Sequence, residues 1–202
     1  FTACALQTND KSSEKSEKFA FSFSEKYIGL EKNRTFQWLG IPYAQAPVGS
    51  LRWKAPRSLE NENDQVKAIE FSNPCPQVES ISIDKKGEGE FLGSEDCLFL
   101  NIFAPKNISS DKKLPVMFWI HGGGNTSGEA GSYDFSKLAA AHDLVIVSIN
   151  YRLGFLGWFY HPSFAATSND QGDKSGNFGT LDQIMALKWV RKNIEDFGGD
   201  KN

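Results

Sequence analysis

Several common features are scarce in this sequence of 202 residues. Its three cysteines form no C-x-x-C pair and have no nearby histidine, which argues against a zinc site. Lys plus Arg total 22 and Asp plus Glu total 25, and a net charge of −3 excludes the strongly basic surface typical of nucleic-acid-binding proteins. No uncharged apolar run approaches the roughly 18 residues that a membrane-spanning helix needs.

The composition is otherwise that of a folded protein. Hydrophobic residues make up 40% of the chain and aromatic residues 13%, which is enough to bury a core. Residues 1–18 differ, because the stretch from Gln7 to Lys18 is polar and has no apolar periodicity. We therefore predict a signal remnant and polar linker at 1–18 and folded structure at 19–202, with no cofactor and no metal.

The start of the chain resembles the processing site of a longer precursor. The chain begins with Phe1 instead of Met, and Cys4 follows a small residue and precedes the polar stretch, as in bacterial lipoproteins. On that interpretation Cys4 carries a lipid anchor, and the protein is secreted, periplasmic or anchored in the outer membrane. The alternative is a free cysteine near a terminus.

Apolar patterns in the sequence predict an α/β fold. Strands are predicted at five places: 19–24, 35–41, 98–103, 114–120 and 144–149. The last two are almost wholly apolar, as expected for strands buried on both faces. A short helix is predicted between them at 136–142, and that order indicates parallel pairing of the two strands.

A longer helix is predicted near the end of the chain. Thr180 can cap its first turn, and Gln183 completes a capping box. Apolar residues then recur at helical spacing as far as Ile194, and Gly198-Gly199 provides a stop.

The predicted strand at 114–120 leads directly into His121-Gly122-Gly123-Gly124. Consecutive glycines cost backbone entropy, about 0.5–1 kcal/mol each relative to Ala in regular structure, but they leave backbone amides accessible to an anion. A phosphate loop requires Lys where this chain has Glu129, and a dinucleotide loop requires Gly where it has Ser127. Two interpretations remain, a plain turn and an oxyanion hole of the HGGG type found in lipases and esterases.

The surrounding motifs resemble the type-B carboxylesterases, the cholinesterase-like branch of the α/β-hydrolases. Glu95-Asp96-Cys97-Leu98-Phe99-Leu100-Asn101 is similar to a signature of that family. Other similar motifs follow in the family's order and spacing: Gly40-Ile41-Pro42-Tyr43-Ala44, Pro47-Val48-Gly49-Ser50-Leu51-Arg52, Trp119-Ile120-His121-Gly122-Gly123-Gly124, Asn150-Tyr151-Arg152-Leu153-Gly154-Phe155-Leu156-Gly157, Gly176-Asn177-Phe178-Gly179 and Phe197-Gly198-Gly199-Asp200. The resemblance covers about residues 19–202.

The resemblance implies the N-terminal part of an α/β-hydrolase fold, so that the fold in this chain is incomplete. Its central sheet is expected to be mostly parallel and to be preceded by antiparallel strands. The resemblance also implies a serine esterase that cleaves small-molecule carboxylic esters through an acyl-enzyme, with the Gly123 and Gly124 amides in the oxyanion hole. Cys75 and Cys97 flank a polar stretch, and their bridge would close a loop of about 23 residues, although two separate buried thiols would also fit the spacing. The resemblance implies that they form a disulfide.

This chain also departs from the family pattern. It has Asn125 where the family often has an aromatic residue, and it has no Trp between the two cysteines, which argues against a choline-ester specialist. No G-x-S-x-G motif is present, and His121, His142 and His161 all precede the expected nucleophile. We therefore predict that the Ser, acid and His of the triad lie beyond Asn202 and that the fragment alone is inactive. The alternative function is a non-catalytic cholinesterase-like adhesion or binding domain.

Overall fold

The computed structural model describes residues 19–20, 26–60, 64–78, 91–108 and 112–202. Cys4 and the predicted linker at 1–18 lie outside these residues. The strands are β1 Phe19–Ala20, β2 Tyr27–Lys32, β3 Thr35–Pro42, β4 Val66–Lys67, β5 Gln77–Val78, β6 Phe91–Leu92, β7 Phe99–Pro105, β8 Val116–Ile120 and β9 Val145–Ile149. The α-helices are α1 Ser136–His142, α2 Gly154–Gly157, α3 Pro162–Ala166 and α4 Phe178–Asn193.

Most of the described strands belong to one mixed sheet with the order β1-β2-β3-β7-β9-β8. The pairs from β1 to β9 along this order are antiparallel, and β9 then pairs with β8 in parallel. The short strand β4 adds a parallel pair with β2. The predicted parallel pairing of the strands on either side of α1 is thus confirmed, and antiparallel strands precede it as expected. Among the strands of the described residues, the parallel pairs are β8 with β9 and β4 with β2.

Strand β8 is less buried than its apolar sequence predicts. The strand lies at the end of the sheet order, its first four residues are half-buried, and Ile120 is 41% exposed. Strand β9, which has a neighbour on each side, is fully buried. The prediction that both strands are buried on both faces is therefore wrong for β8, which lies at the edge of the sheet formed by the described residues.

Aromatic side chains hold helix α4 and the 3₁₀ turn that follows it, Ile194–Phe197, against the sheet. The Trp38 ring on β3 meets the Phe197 ring edge-on, with their centroids 4.9 Å apart, and the Tyr27 ring on β2 meets the Trp189 ring of α4 at 5.8 Å. All four side chains are less than 10% exposed. Aromatic pairs in this arrangement contribute about 0.5–1.5 kcal/mol each beyond the area they bury.

The start of α4 differs from the prediction. The helix begins at Phe178, the N-cap is Asn177, and no side chain caps the first turn. Gly179 lies so close to the Trp158 ring that a Cβ there would be 2.5 Å from Trp158 Cη2. This packing places Phe178 and Gly179 inside the core, so the helix starts before Thr180 and the predicted capping box does not form.

Helix α1 spans the predicted residues 136–142 and ends at Asp143, whose φ is +51°. Within the described residues, no helix has the length and apolar character needed to cross a bilayer.

Candidate active site

The glycine triplet follows the carboxyl end of β8 and lies exposed on the surface. The backbone turns sharply here, with positive φ at three successive residues: +109° at Gly123, +61° at Gly124 and +62° at Asn125. The Thr126 and Ser127 N–H groups both donate to the Gly123 carbonyl, at 3.1 and 3.2 Å. The carbonyl of Gly123 is therefore used to close the turn.

The amides of Gly123 and Gly124 remain available. Neither N–H donates a hydrogen bond to any acceptor in the described part of the chain. Two adjacent, exposed and unpaired N–H groups in a turn can bind an anionic oxygen. A Cβ on Gly123 would lie 2.0 Å from the Ser127 carbonyl oxygen, so this turn requires glycine at that position.

Residues 121–128, which contain the glycine triplet, are called the glycine segment, and His121 forms its buried base. Its side chain stacks on the Tyr151 ring at a centroid distance of 4.4 Å, and the Tyr151 hydroxyl donates to the His121 carbonyl at 2.6 Å. Nδ1 of His121 lies 2.9 Å from the Gly122 carbonyl oxygen and donates to it, since that oxygen can only accept. Burial lowers the pKa of His121, partly opposed by this hydrogen bond and by Glu129, so the neutral ring carries its proton on Nδ1.

The turn is supported from a second side by the segment that follows β9. Gly154 N–H donates to the Asn125 carbonyl at 2.7 Å. Two residues earlier, Arg152 forms a buried bidentate pair with Asp182 of α4, with N–O distances of 2.8 and 2.7 Å. Burial raises the pKa of Asp182, and its hydrogen bonds from Arg152 oppose that rise. Asp182 is fully buried, so this pair fixes the segment beneath Asn125 to helix α4.

The predicted disulfide is present. Cys75 and Cys97 are both buried and are bonded to each other, with their Cα atoms 5.0 Å apart. Just after Cys75, the short strand β5 pairs with β6 in antiparallel orientation. Near Cys97, the carboxylate of Glu95 receives two hydrogen bonds from Arg52, at 2.5 and 2.6 Å.

The other two histidines lie on other elements of the fold. His142 is exposed in the last turn of α1, and His161 precedes α3, where its Nδ1 accepts a hydrogen bond from Ser163 N–H. Within the described ranges, no three His, Cys, Asp or Glu residues are arranged to hold a metal ion. Two cavities lie elsewhere, one of about 260 Å³ beside Trp189 and one of about 630 Å³ between β8 and α4.

The chain matches a known protein family over most of its length. Residues 25–202 match the model of the carboxylesterase family. The chain belongs to the carboxylesterase family.

Individual relatives of this carboxylesterase chain support the assignment. It is 46% identical over 178 residues to the para-nitrobenzyl esterase of Bacillus subtilis, with 87% of the chain and 34% of the relative aligned. It is 38% identical to liver carboxylesterase B-1 of Rattus norvegicus, covering 87% of the chain and 31% of that protein. Among solved structures, a thermophilic PNB esterase superimposes with a TM-score of 0.73 at 42% identity, covering 89% and 36% of the two chains.

The chain thus spans about a third of the length of these relatives. The esterase structures to which it is similar show that the described residues form an incomplete α/β-hydrolase fold.

Sequence reasoning missed the support around the carboxylesterase glycine segment. The sequence places Tyr151 and Arg152 only within a family motif and Gln77 only at the start of the polar stretch between the two cysteines. Their partners are 30 to 51 residues away along the chain, so local spacing gives no signal for them. Tyr151 and Arg152 could have been suspected because they follow a buried strand, where loop residues often serve a site.

Proposed function

We propose that this chain is the N-terminal part of a serine carboxylesterase that hydrolyses small-molecule carboxylic esters. Attack of a serine oxygen on the ester carbonyl moves an electron pair onto the carbonyl oxygen, which becomes an alkoxide. Gly123 and Gly124 N–H donate to that oxygen, and each such donor is worth about 3–4 kcal/mol of transition-state energy. The alcohol then leaves, and water releases the carboxylic acid from the acyl-enzyme.

The observation that carries this proposal is the pair of amides just after β8, Gly123 and Gly124 N–H, which donate to no acceptor among the residues that the structure describes. A binding domain that had lost catalysis would have no use for them, and the reported relatives are named as esterases. Because the nucleophile, acid and base lie outside these residues, the activity belongs to the full-length protein.

Full-length protein and a chromogenic acetate ester test this function. We expect turnover that an organophosphonate abolishes by modifying one serine in a G-x-S-x-G turn beyond Asn202. Absence of turnover, together with Gly or Asn in place of that serine, would instead establish the binding domain.

We further propose that the protein is secreted or lipid-anchored, with Cys4 as the lipidated residue. The disulfide supports an oxidising compartment. Expression of the precursor with radiolabelled palmitate should label the wild type and not the Cys4→Ala variant. Equal labelling of both, or of neither, would rule out an anchor at Cys4.

A further inference from the structure

The side-chain amide of Gln77 connects strand β5, which follows Cys75 of the disulfide, to the glycine segment. Its Oε1 accepts a hydrogen bond from Gly128 N–H at 2.7 Å, and its Nε2 donates to the Gly128 carbonyl at 2.9 Å. Nε2 also donates to the Cys75 carbonyl at 3.1 Å. One side chain thus satisfies both backbone groups of Gly128, as a neighbouring strand would.

Gly128 in turn lies directly against His121 and Gly122. Its φ is +113°, and a Cβ there would be 2.4 Å from His121 Nδ1 and 2.6 Å from the Gly122 carbonyl oxygen. These are the two atoms of the hydrogen bond that orients the Gly122 carbonyl. A shift of Gly128 would therefore disturb the peptide unit that carries the Gly123 N–H.

Gly128 is also linked to the turn through the residue before it. Ser127 N–H donates to the Gly123 carbonyl at 3.2 Å, and the Ser127 carbonyl lies close to Gly123. The turn from Gly123 to Ser127 is thus held at its end by a residue whose own backbone is anchored by Gln77.

The backbone around Gln77 is itself held in place on both sides. Cys75, two residues earlier, is fixed by the disulfide, and β5 pairs with β6. Glu at position 77 would lose the donor and place a carboxylate oxygen against the Gly128 carbonyl, and Met would lose both partners at similar volume.

We propose that Gln77 is a positioning residue for the oxyanion hole. It does not contact the substrate, but it holds Gly128 and through it sets the direction of the Gly123 and Gly124 N–H groups. This inference rests on the proposed esterase function, because it assigns the amides the task of binding the alkoxide.

The test compares Gln77→Met and Gln77→Glu with wild-type full-length protein. We expect kcat to fall by at least about tenfold, with KM within about twofold, because the lost stabilisation is specific to the transition state. Affinity for a trifluoromethyl ketone, whose serine adduct carries an alkoxide, should weaken by a similar factor. A matched control is Gln45→Met, because the Gln45 side chain donates to the Ser58 carbonyl and, within the described residues, to no group of the glycine triplet or Gly128.

Amide NMR separates this inference from the function on which it rests. In both Gln77 variants the Gly123 and Gly124 amide resonances should shift, whether or not the protein hydrolyses esters. In Gln77→Met, which has no acceptor for the Gly128 N–H, the Gly128 amide should also lose hydrogen-exchange protection. Unchanged resonances in a folded variant would overturn the inference. Lack of activity in the wild type with the expected NMR shifts would overturn the proposed function alone. If the Met variant fails to fold, the Glu variant, which retains an acceptor oxygen, decides.

Discussion

Gly122, Gly123 and Gly124 are adjacent, but a side chain would meet different surroundings at each of them. A Cβ on Gly123 would collide with the Ser127 carbonyl, whereas a Cβ on Gly122 or Gly124 would meet nothing within 4 Å. Gly124 has a positive φ and Gly122 does not. A Cβ is therefore tolerated at Gly122, sterically excluded at Gly123 and strained by the positive φ at Gly124.

These differences predict a graded alanine series in the full-length protein. Gly123→Ala should lower kcat by at least about a hundredfold, because the clash displaces an oxyanion donor. Gly124→Ala should cost about 1–2 kcal/mol of unfolding free energy from its positive φ. Gly122→Ala is the matched control and should change kcat by no more than about twofold. Equal losses for all three, measured as kcat and by urea unfolding, would contradict the account.

The lowered pKa of His121 predicts a pH dependence of stability. In the unfolded chain a histidine titrates near pH 6.5, whereas the folded protein resists protonation of this ring to a lower pH. Between the two values the unfolded chain binds more protons, so the free energy of unfolding falls as the pH falls below about 6.5. Below the folded pKa this contribution stops changing.

Urea unfolding from pH 8 to pH 5 checks this prediction. His121→Gln should reduce the loss of stability towards acidic pH, and His142→Gln, at an exposed site, should retain it. The same pH slope in wild type and His121→Gln would show that His121 is not the group responsible.

Among the elements, α1 and the strands predicted at 35–41 and 98–103 could be predicted from local patterns, whereas other boundaries depended on distant contacts. Helix α1 has its predicted bounds because a continuous helical segment ends at a residue that readily adopts positive φ. The start of α4 was mispredicted because Trp158 packs over Gly179, a contact that no local pattern reveals. Gln77 could not be found for the same reason, since Gly128 is 51 residues further along the chain.

The buried pair of Arg152 and Asp182 predicts a large coupling between α4 and the segment after β9. Asp182→Asn should cost about 3–5 kcal/mol, because it leaves the guanidinium buried without its counter-charge. The exposed pair of Glu195 and Lys201, both 44% exposed, is the control, and Glu195→Gln should cost no more than about 1 kcal/mol. Thermal and urea unfolding of the two variants would contradict the account if their losses were equal.

Removal of the disulfide is expected to lower the free energy of unfolding. Its cysteines are 22 residues apart, and in the chain-entropy model closing such a loop stabilises by about 3 kcal/mol. The Cys75→Ala/Cys97→Ala double variant should lose about that amount in urea unfolding, and added reductant should not destabilise it further. A reductant effect of equal size in both proteins would locate the redox sensitivity elsewhere.

At the scale of the whole molecule, the sheet formed by the described residues ends at the open edge of β8. Beside the edge strand β8, apolar side chains on α4 are exposed, with Ile184 at 41% and Leu187 at 46%. An open edge next to apolar surface favours pairing with other chains. The 202-residue chain alone should therefore self-associate in light scattering and should not hydrolyse esters, and Ile120→Lys should reduce the association. A monodisperse 202-residue monomer with ester turnover would contradict this.

The central claim, that Gly123 and Gly124 N–H hold the transition-state alkoxide, is tested most directly by a crystal structure. The full-length protein would be crystallised with a trifluoromethyl ketone bound to its nucleophile. The account predicts the adduct oxygen about 2.7–3.1 Å from both amide nitrogens. An adduct oxygen bound elsewhere, with these two N–H groups turned inward and donating to protein carbonyls, would contradict it.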